Sequence, residues 1–298
     1  MWDKINMRIH FPMTYTETKN SVFHGSFYPG TEREIRVLLD SLRDRALEPR
    51  TGSHPPIVLV PHAGWMYSGL AAMRGLSTLL GDIPERIVMI GPSHRHLFFG
   101  FSPAGFNSYK TPLGEIEIDS ELRQKIIDAT GFQYDPGAHQ HEHSLEVNIP
   151  LIQYFFDDRI KILPILAGSV QEKDIAALAE TLTRILDPKK DAILISTDLS
   201  HFFTYEEARK LDSETLDFII SGNTGKLSER SGEGGRLCCG FSGVITAIEI
   251  AKLWNLGKPE LLIYYNSGDS GGDKNSVVGY ASVAWRGQKT DTSGQIEN

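Results

Sequence analysis

Cysteine is scarce, with two in 298 residues, adjacent at Cys238 and Cys239. Neighbouring cysteines rarely bridge because the geometry is strained. A disulfide framework is therefore excluded, and a reducing compartment is the expectation. Basic charge is short as well: 30 Lys and Arg against 38 Asp and Glu leave a net charge of −8. That balance argues against a nucleic-acid partner and against a polybasic membrane-surface binder. No apolar run approaches the ~18 residues of a membrane span. The opening MWDKINMRIHFPMTYTETKN lacks the apolar core of a signal peptide. A cytoplasmic location is expected. Internal repeats, low-complexity tracts and linkers are also missing, so one domain is expected over 21–286, with polar tails at 1–20 and 287–298. What is present in ordinary measure is core-forming material, 40% hydrophobic against 23% charged.

Short apolar runs mark buried strands at Ile57–Val60, Ile87–Ile90, Ile160–Leu166, Ala192–Ser196, Leu261–Tyr265 and Val277–Trp285. Most are continuous rather than alternating, which suits a sheet covered on both faces. Helical periods lie between them. Ile35, Leu38, Leu39, Leu42 and Ala46 share one face behind a Thr31/Glu34 capping pattern. Ile175, Leu178, Ala179, Leu182, Ile185 and Leu186 share another, and a third helix runs from about Ser242 to Leu256 before Gly257. Strands alternating with helices predict an α/β fold: a mainly parallel central sheet with helices on both faces. The stretch 97–119 breaks the rhythm and reads as an inserted hairpin.

The histidines fall where chemistry is done in such folds. Three strands run into Pro61-His62-Ala63-Gly64, Gly91-Pro92-Ser93-His94 and Thr197-Asp198-Leu199-Ser200-His201. The carboxyl ends of parallel strands share one edge, and ligands bind there. His62 and His94 are 32 residues apart, about one βαβ unit. That spacing predicts two imidazoles side by side on neighbouring strands. Gly64 and Gly91 read as turns that let the backbone approach a ligand.

A second cluster is His139-Gln140-His141-Glu142-His143-Ser144-Leu145-Glu146. Ser144 reads as the N-cap of a short helix that Pro150 kinks or restarts. His143 and Glu146, three apart, then share a face and can orient a substrate or move protons. His139 and His141 read as solvated loop residues. The third piece, Leu237-Cys238-Cys239-Gly240-Phe241-Ser242-Gly243, precedes a helix start, where a thiol can have a lowered pKa. The segment Asn266–Asp273 is a polar loop that could fold over a site or simply connect two strands.

Taken in order, His24-Gly25-Ser26-Phe27-Tyr28-Pro29, Pro61-His62-Ala63-Gly64, Gly91-Pro92-Ser93-His94, Glu142-His143-Ser144-Leu145-Glu146, Ser196–His201 and Cys239-Gly240 resemble the motifs of the Memo family, whose prokaryotic members are called AmmeMemoRadiSam system protein B. The resemblance runs from about His24 to Ala284. It implies a fold like the catalytic subunit of class III extradiol dioxygenases, non-haem iron enzymes that hold Fe(II) on two histidines and a glutamate. Carried over, the metal ligands would be His62, His94 and Cys239, the cysteine standing in place of the glutamate. His143, Glu146, Asp198 and His201 would line the same pocket as catalytic residues. Two His and one anionic ligand suit Fe(II), and a softer thiolate also admits copper or zinc.

Three functions are compatible with these residues. The first is an iron- or copper-dependent, dioxygenase-like redox enzyme acting on a small molecule. The second is a non-catalytic module that takes a peptide in the pocket, or an accessory protein whose implied partners are an AMMECR1-like protein and a radical SAM enzyme. The third is a hydrolase in which Cys239 attacks, His201 is the base and Asp198 orients it.

Overall fold

The computed structural model describes residues 16–47, 53–157, 159–231 and 237–288. The chain opens with β1 (Thr16–Asn20), α1 (Glu32–Ala46), β2 (Ile57–Val60), α2 (Trp65–Ser77) and β3 (Arg86–Pro92). The insertion follows as β4 (Phe101–Pro103), β5 (Phe106–Thr111) and β6 (Gly114–Glu117), then α3 (Ser120–Thr130), α4 (Pro136–Gln140) and α5 (Ile149–Phe156). Next come β7 (Lys161–Ala167), α6 (Glu172–Ile185), β8 (Asp191–Ser196), β9 (His201–Phe203) and α7 (Tyr205–Ser221). The described elements end with α8 (Thr224–Ser231), α9 (Phe241–Leu253), β10 (Glu260–Asn266) and β11 (Val277–Trp285).

The main sheet runs in the order β10-β11-β2-β8-β3-β7-β4, with β9 joined to β11. Its centre, β2-β8-β3-β7, is parallel, and β10, β11, β4 and β9 add antiparallel pairings around it. The α/β class holds, and the sheet is mixed at its margins. Every residue of β2 and β8 is buried, as continuous apolar runs require when both faces are covered. In register, Val60 pairs with Ser196 and Leu59 with Ile195, so alternate residues serve opposite helical layers. One face meets α2 and the other meets α9, where Gly243 lies against Ile90 and Ile195.

Local chemistry explains several boundaries. The Thr31 side chain accepts from Glu34 N and caps α1. Pro150 lies in the first turn of α5, so it starts that helix rather than kinking one already under way. Stretch 97–119 contains the expected hairpin, β5 against β6, with β4 returning to β7.

Three expectations are corrected. Residues 16–20, read as tail, form β1, which pairs in parallel with β5 because the insertion offers it an open strand edge. Residues 1–15 and 289–298 of the tails lie outside the described residues. His139 is not solvated: it is 4% exposed and its Nε2 donates to Ser102 O at 2.9 Å. The strands carrying His62 and His94 are not neighbours, since β8 lies between β2 and β3. Segment Asn266–Asp273 is a braced turn between β10 and β11, with Asp269 accepting from Tyr205 OH at 2.7 Å and Asn266 N at 3.0 Å. Among the described residues no helix is long and apolar enough to cross a membrane.

Candidate metal centre

Parallel strands end along one edge, and three of their ends build this site. His62 follows β2, His94 follows β3, and Asp198 follows β8 between them. Although a strand separates them, the His62 and His94 rings meet edge to face, 5.2 Å apart, over the end of β8. His143 comes from the segment before α5 and stacks on His94 at 4.6 Å. Gly91 lets that segment in: a Cβ there would lie 2.7 Å from Leu145 Cδ2 and 3.1 Å from Ser144 Oγ. What the glycine admits is chain, not ligand.

One donor atom from each of His62, His94 and His143 can be chosen so that all three lie within 4.8 Å of one another. The cluster can therefore hold a metal ion. Two of the three rings, His62 and His94, are oriented by a partner behind them. His62 Nδ1 lies 2.9 Å from Ser196 Oγ, leaving Nε2 directed to the site. His94 Nδ1 donates to Glu142 Oε1 at 2.9 Å, and its backbone N–H donates to Glu142 Oε2 at 2.5 Å. His143 Nδ1 lies 3.2 Å from the same Oε1 but out of hydrogen-bonding alignment, so this buried nitrogen has no partner. An orphaned His143 nitrogen beside the Nε2 atoms of His62 and His94, with the Cys239 sulfur on the first of them, is a donor set that a metal ion fits.

Charge states agree with that use. Burial, reinforced by the charge of His94, pushes the pKa of His62 well below its ordinary value. Burial and then the charge of His62 push His143 down to about 4. Both are neutral imidazoles near pH 7, the form that coordinates. Burial alone would raise Glu142, but its hydrogen bonds with His94 and the charge of that ring outweigh burial and hold it at about 2. The orienting carboxylate is thus ionised.

Cys239 Sγ lies 3.2 Å from His62 Nε2. That is the separation of two atoms sharing a proton, and also of two ligands sharing a metal. Burial, followed by the Asp198 and Cys238 charges, pushes this thiol well above its ordinary pKa. In the metal-free protein it is a protonated thiol, not the activated thiolate that a helix N-terminus alone would suggest. Asp198 N donates to its sulfur at 3.3 Å, and Cys239 N donates to Asp198 O at 3.2 Å, so the two loops are zipped together.

Comparison with known proteins bears on this arrangement. The family profile described as Memo-like protein matches residues 20–284. The chain belongs to the Memo family. It is 36% identical over 259 residues to a MEMO1 family protein of Aquifex aeolicus, covering 87% of this chain and 96% of that one. It is 35% identical over 275 residues to a MEMO1 family protein of Sulfurisphaera tokodaii, with 87% and 96% covered. A MEMO1 family protein of Methanobrevibacter smithii is 35% identical over 272 residues, again with 87% and 96% covered.

In this Memo chain the expected site residues take distinct places. His62, His94, His143 and Cys239 come together. The Asp198 carboxylate accepts from His62 N at 2.8 Å and so holds the backbone of a cluster residue. Burial raises its pKa against the lowering effect of His201, whose charge also reaches His62. His201 sits on β9, packed edge to face on exposed Phe202. Glu146 turns elsewhere. It is 1% exposed, and its carboxylate accepts from Val22 N, Phe23 N, Tyr28 OH and Tyr109 OH. This pins the 21–28 segment, whose Phe23 and Phe27 wall the site by packing on His143 at 5.7 and 4.6 Å. The expected face shared by His143 and Glu146 does not form, because residues 146–148 are a tight 3-10 turn that starts after His143. The carboxylate beside His143 is Glu142, which the sequence reading passed over. Its only signal was adjacency to two histidines.

Proposed function

We propose that this protein is a metal-dependent redox protein of dioxygenase-like type, acting on a small molecule. The carrying observation is the convergence of two imidazole Nε2 atoms, each with its Nδ1 occupied by a partner, upon a third histidine and a thiol. His62 and His94 would hold the metal, with Cys239 and His143 as the two candidates for the third position. Fe(II) is the metal best matched to two nitrogens and an anionic ligand, with copper and zinc next. When bound, such a metal supplies one-electron redox and Lewis-acid chemistry.

The remaining roles belong to the chain itself. Phe23 and Phe27 form an apolar wall on one side of His143 that excludes water and orients a flat substrate. His94 is the most open of the three rings, with 29% of its side chain exposed against 16% for His143, so substrate enters from its side. With Cys239 as the third ligand, His143, neutral near pH 7, accepts a hydrogen bond from bound substrate and orients it, and His201 near Asp198 exchanges protons with solvent.

The test is metal content after anaerobic purification, with Fe(II), Cu(I) and Zn(II) titrations. Stoichiometric binding is expected in the wild type, with loss in His62→Ala and His94→Ala. Comparing Cys239→Ser with His143→Ala identifies the third ligand. Undiminished binding in both His62→Ala and His94→Ala would refute the proposal.

A further inference from the structure

His62 has two ring nitrogens, and only one of its neutral tautomers leaves Nε2 free for a metal. What selects that tautomer is a hydroxyl at the end of β8. Ser196 Oγ has three polar neighbours: Ser144 O at 2.5 Å, His62 Nδ1 at 2.9 Å and Asn148 Nδ2 at 3.2 Å. A hydroxyl carries one proton and two lone pairs. The Ser144 carbonyl can only accept, and the Asn148 amide nitrogen can only donate. The single Ser196 proton therefore goes to Ser144 O. Were it turned to the imidazole, two oxygens would face each other at 2.5 Å with no proton between them. The remaining lone pair faces His62, so Nδ1 must carry the hydrogen.

The same peptide reaches the second imidazole. Ser144 N donates to Glu142 Oε1 at 2.9 Å, the oxygen that accepts from His94 Nδ1. Ser144 Oγ donates to Pro92 O at 2.7 Å and fastens the segment to the end of β3. Asn148 Nδ2 also donates to Pro61 O at 3.3 Å, beside His62. Ser144 carries the 0% exposure of Ser196 and Asn148, so water does not compete for these bonds.

From these donors and acceptors we infer that Ser196 is a positioning residue: held by Ser144 and Asn148, it locks His62 in the Nδ1–H tautomer and so presents an unprotonated Nε2, facing the Cys239 sulfur at 3.2 Å, to the metal site. The inference rests on the metal-site reading for its purpose, but its first readout needs no metal. It adds Ser196, Asn148 and the Ser144 peptide to the machinery, none of which touches the metal position.

The experiment is nitrogen-15 NMR of the histidine rings in the full-length, metal-free protein, with the His62 signals identified by their absence in His62→Ala. In the wild type, Nδ1 is expected in the protonated, pyrrole-like range and Nε2 in the pyridine-like range. In Ser196→Ala the Nε2–H form becomes populated, and affinity for Fe(II) and Zn(II), titrated anaerobically, falls about 10- to 100-fold. Ser196→Thr, which keeps the hydroxyl, restores both. Wild-type His62 in the Nε2–H form overturns the inference. So does Ser196→Ala with an unchanged tautomer, or Ser196→Thr behaving like Ser196→Ala. If Ser196→Ala does not fold, the wild-type tautomer and the Thr variant still decide. Absence of metal binding in the wild type would count against the metal reading alone, because the tautomer is read without metal.

Discussion

Glu146→Ala removes the acceptor at the centre of a buried knot. Its carboxylate takes Phe23 N at 2.6 Å, Val22 N at 2.9 and 3.1 Å, Tyr109 OH at 2.7 Å and Tyr28 OH at 3.1 Å. Truncation leaves four donors facing a cavity with no acceptor. Each buried unsatisfied donor costs about 1–3 kcal/mol, but the four relax together and a buried charge is removed, so the sum overstates the loss. Breaking one partner out of a buried charged network costs about 3–5 kcal/mol, and that is the expected figure here. At roughly 2–4 °C per kcal/mol for chains above 150 residues, the melting temperature should fall by about 10 °C. Calorimetry measures this directly. Three further readouts locate the effect. The Phe23 and Phe27 wall should loosen, moving the His143 ring resonances that now feel both rings. Tyr28 and Tyr109, whose pKa values are raised by burial first and then by the Glu146 charge, should ionise at lower pH. Metal affinity should change by only a few-fold, because the rings of His62 and His94 are held by Ser196 and Glu142. A melting shift under 2 °C, or metal loss as deep as in His62→Ala, would show that Glu146 works at the site rather than behind the wall.

Other outcomes follow from the same structure. His139, buried and held at about 4 mainly by desolvation, binds fewer protons folded than unfolded between pH 4 and the ordinary histidine value of 6.5. Stability should therefore drop as pH falls through that window, by about 3 kcal/mol from this residue. Urea unfolding at pH 4.5 and 7 should show a smaller difference in His139→Gln than in wild type, and an equal difference would contradict the assignment. Cys239, with its pKa raised well above the ordinary thiol value by burial and then by Asp198, should react with iodoacetamide at pH 7 at least ~10-fold more slowly than free cysteine in the metal-free protein. Fast labelling would revive the hydrolase reading. Gly240→Ala would put a Cβ 2.7 Å from Ser196 O and from Thr197 Cβ, displacing the Cys239 loop. A loss of about 1–3 kcal/mol is expected, and a denaturation midpoint equal to wild type would argue against so tight an approach.

The amino-acid order by itself settled the parts governed by short-range rules. Continuous apolar runs located the central strands, and the period of Ile35, Leu39 and Ala46 located the buried face of α1 behind its Thr31 cap. Because parallel strands end along one edge, the sequence alone puts His62, His94 and Asp198 together. The 13-residue α2 escaped the periodicity reading because it is buried nearly all round, between α1 and the sheet, and so shows no polar face. Strand order also lay beyond the sequence: a spacing of one βαβ unit put β2 beside β3, but the register with β8 places it between them. The two glutamates show the limit most clearly. Glu142 and Glu146 lie four residues apart in one segment, yet one orients His94 at the end of β3 and the other reaches back to Val22, 124 residues earlier in the chain. Local spacing constrains which neighbours along a helix or strand can meet. Which distant backbone donors come to surround a carboxylate is decided only when the layers pack.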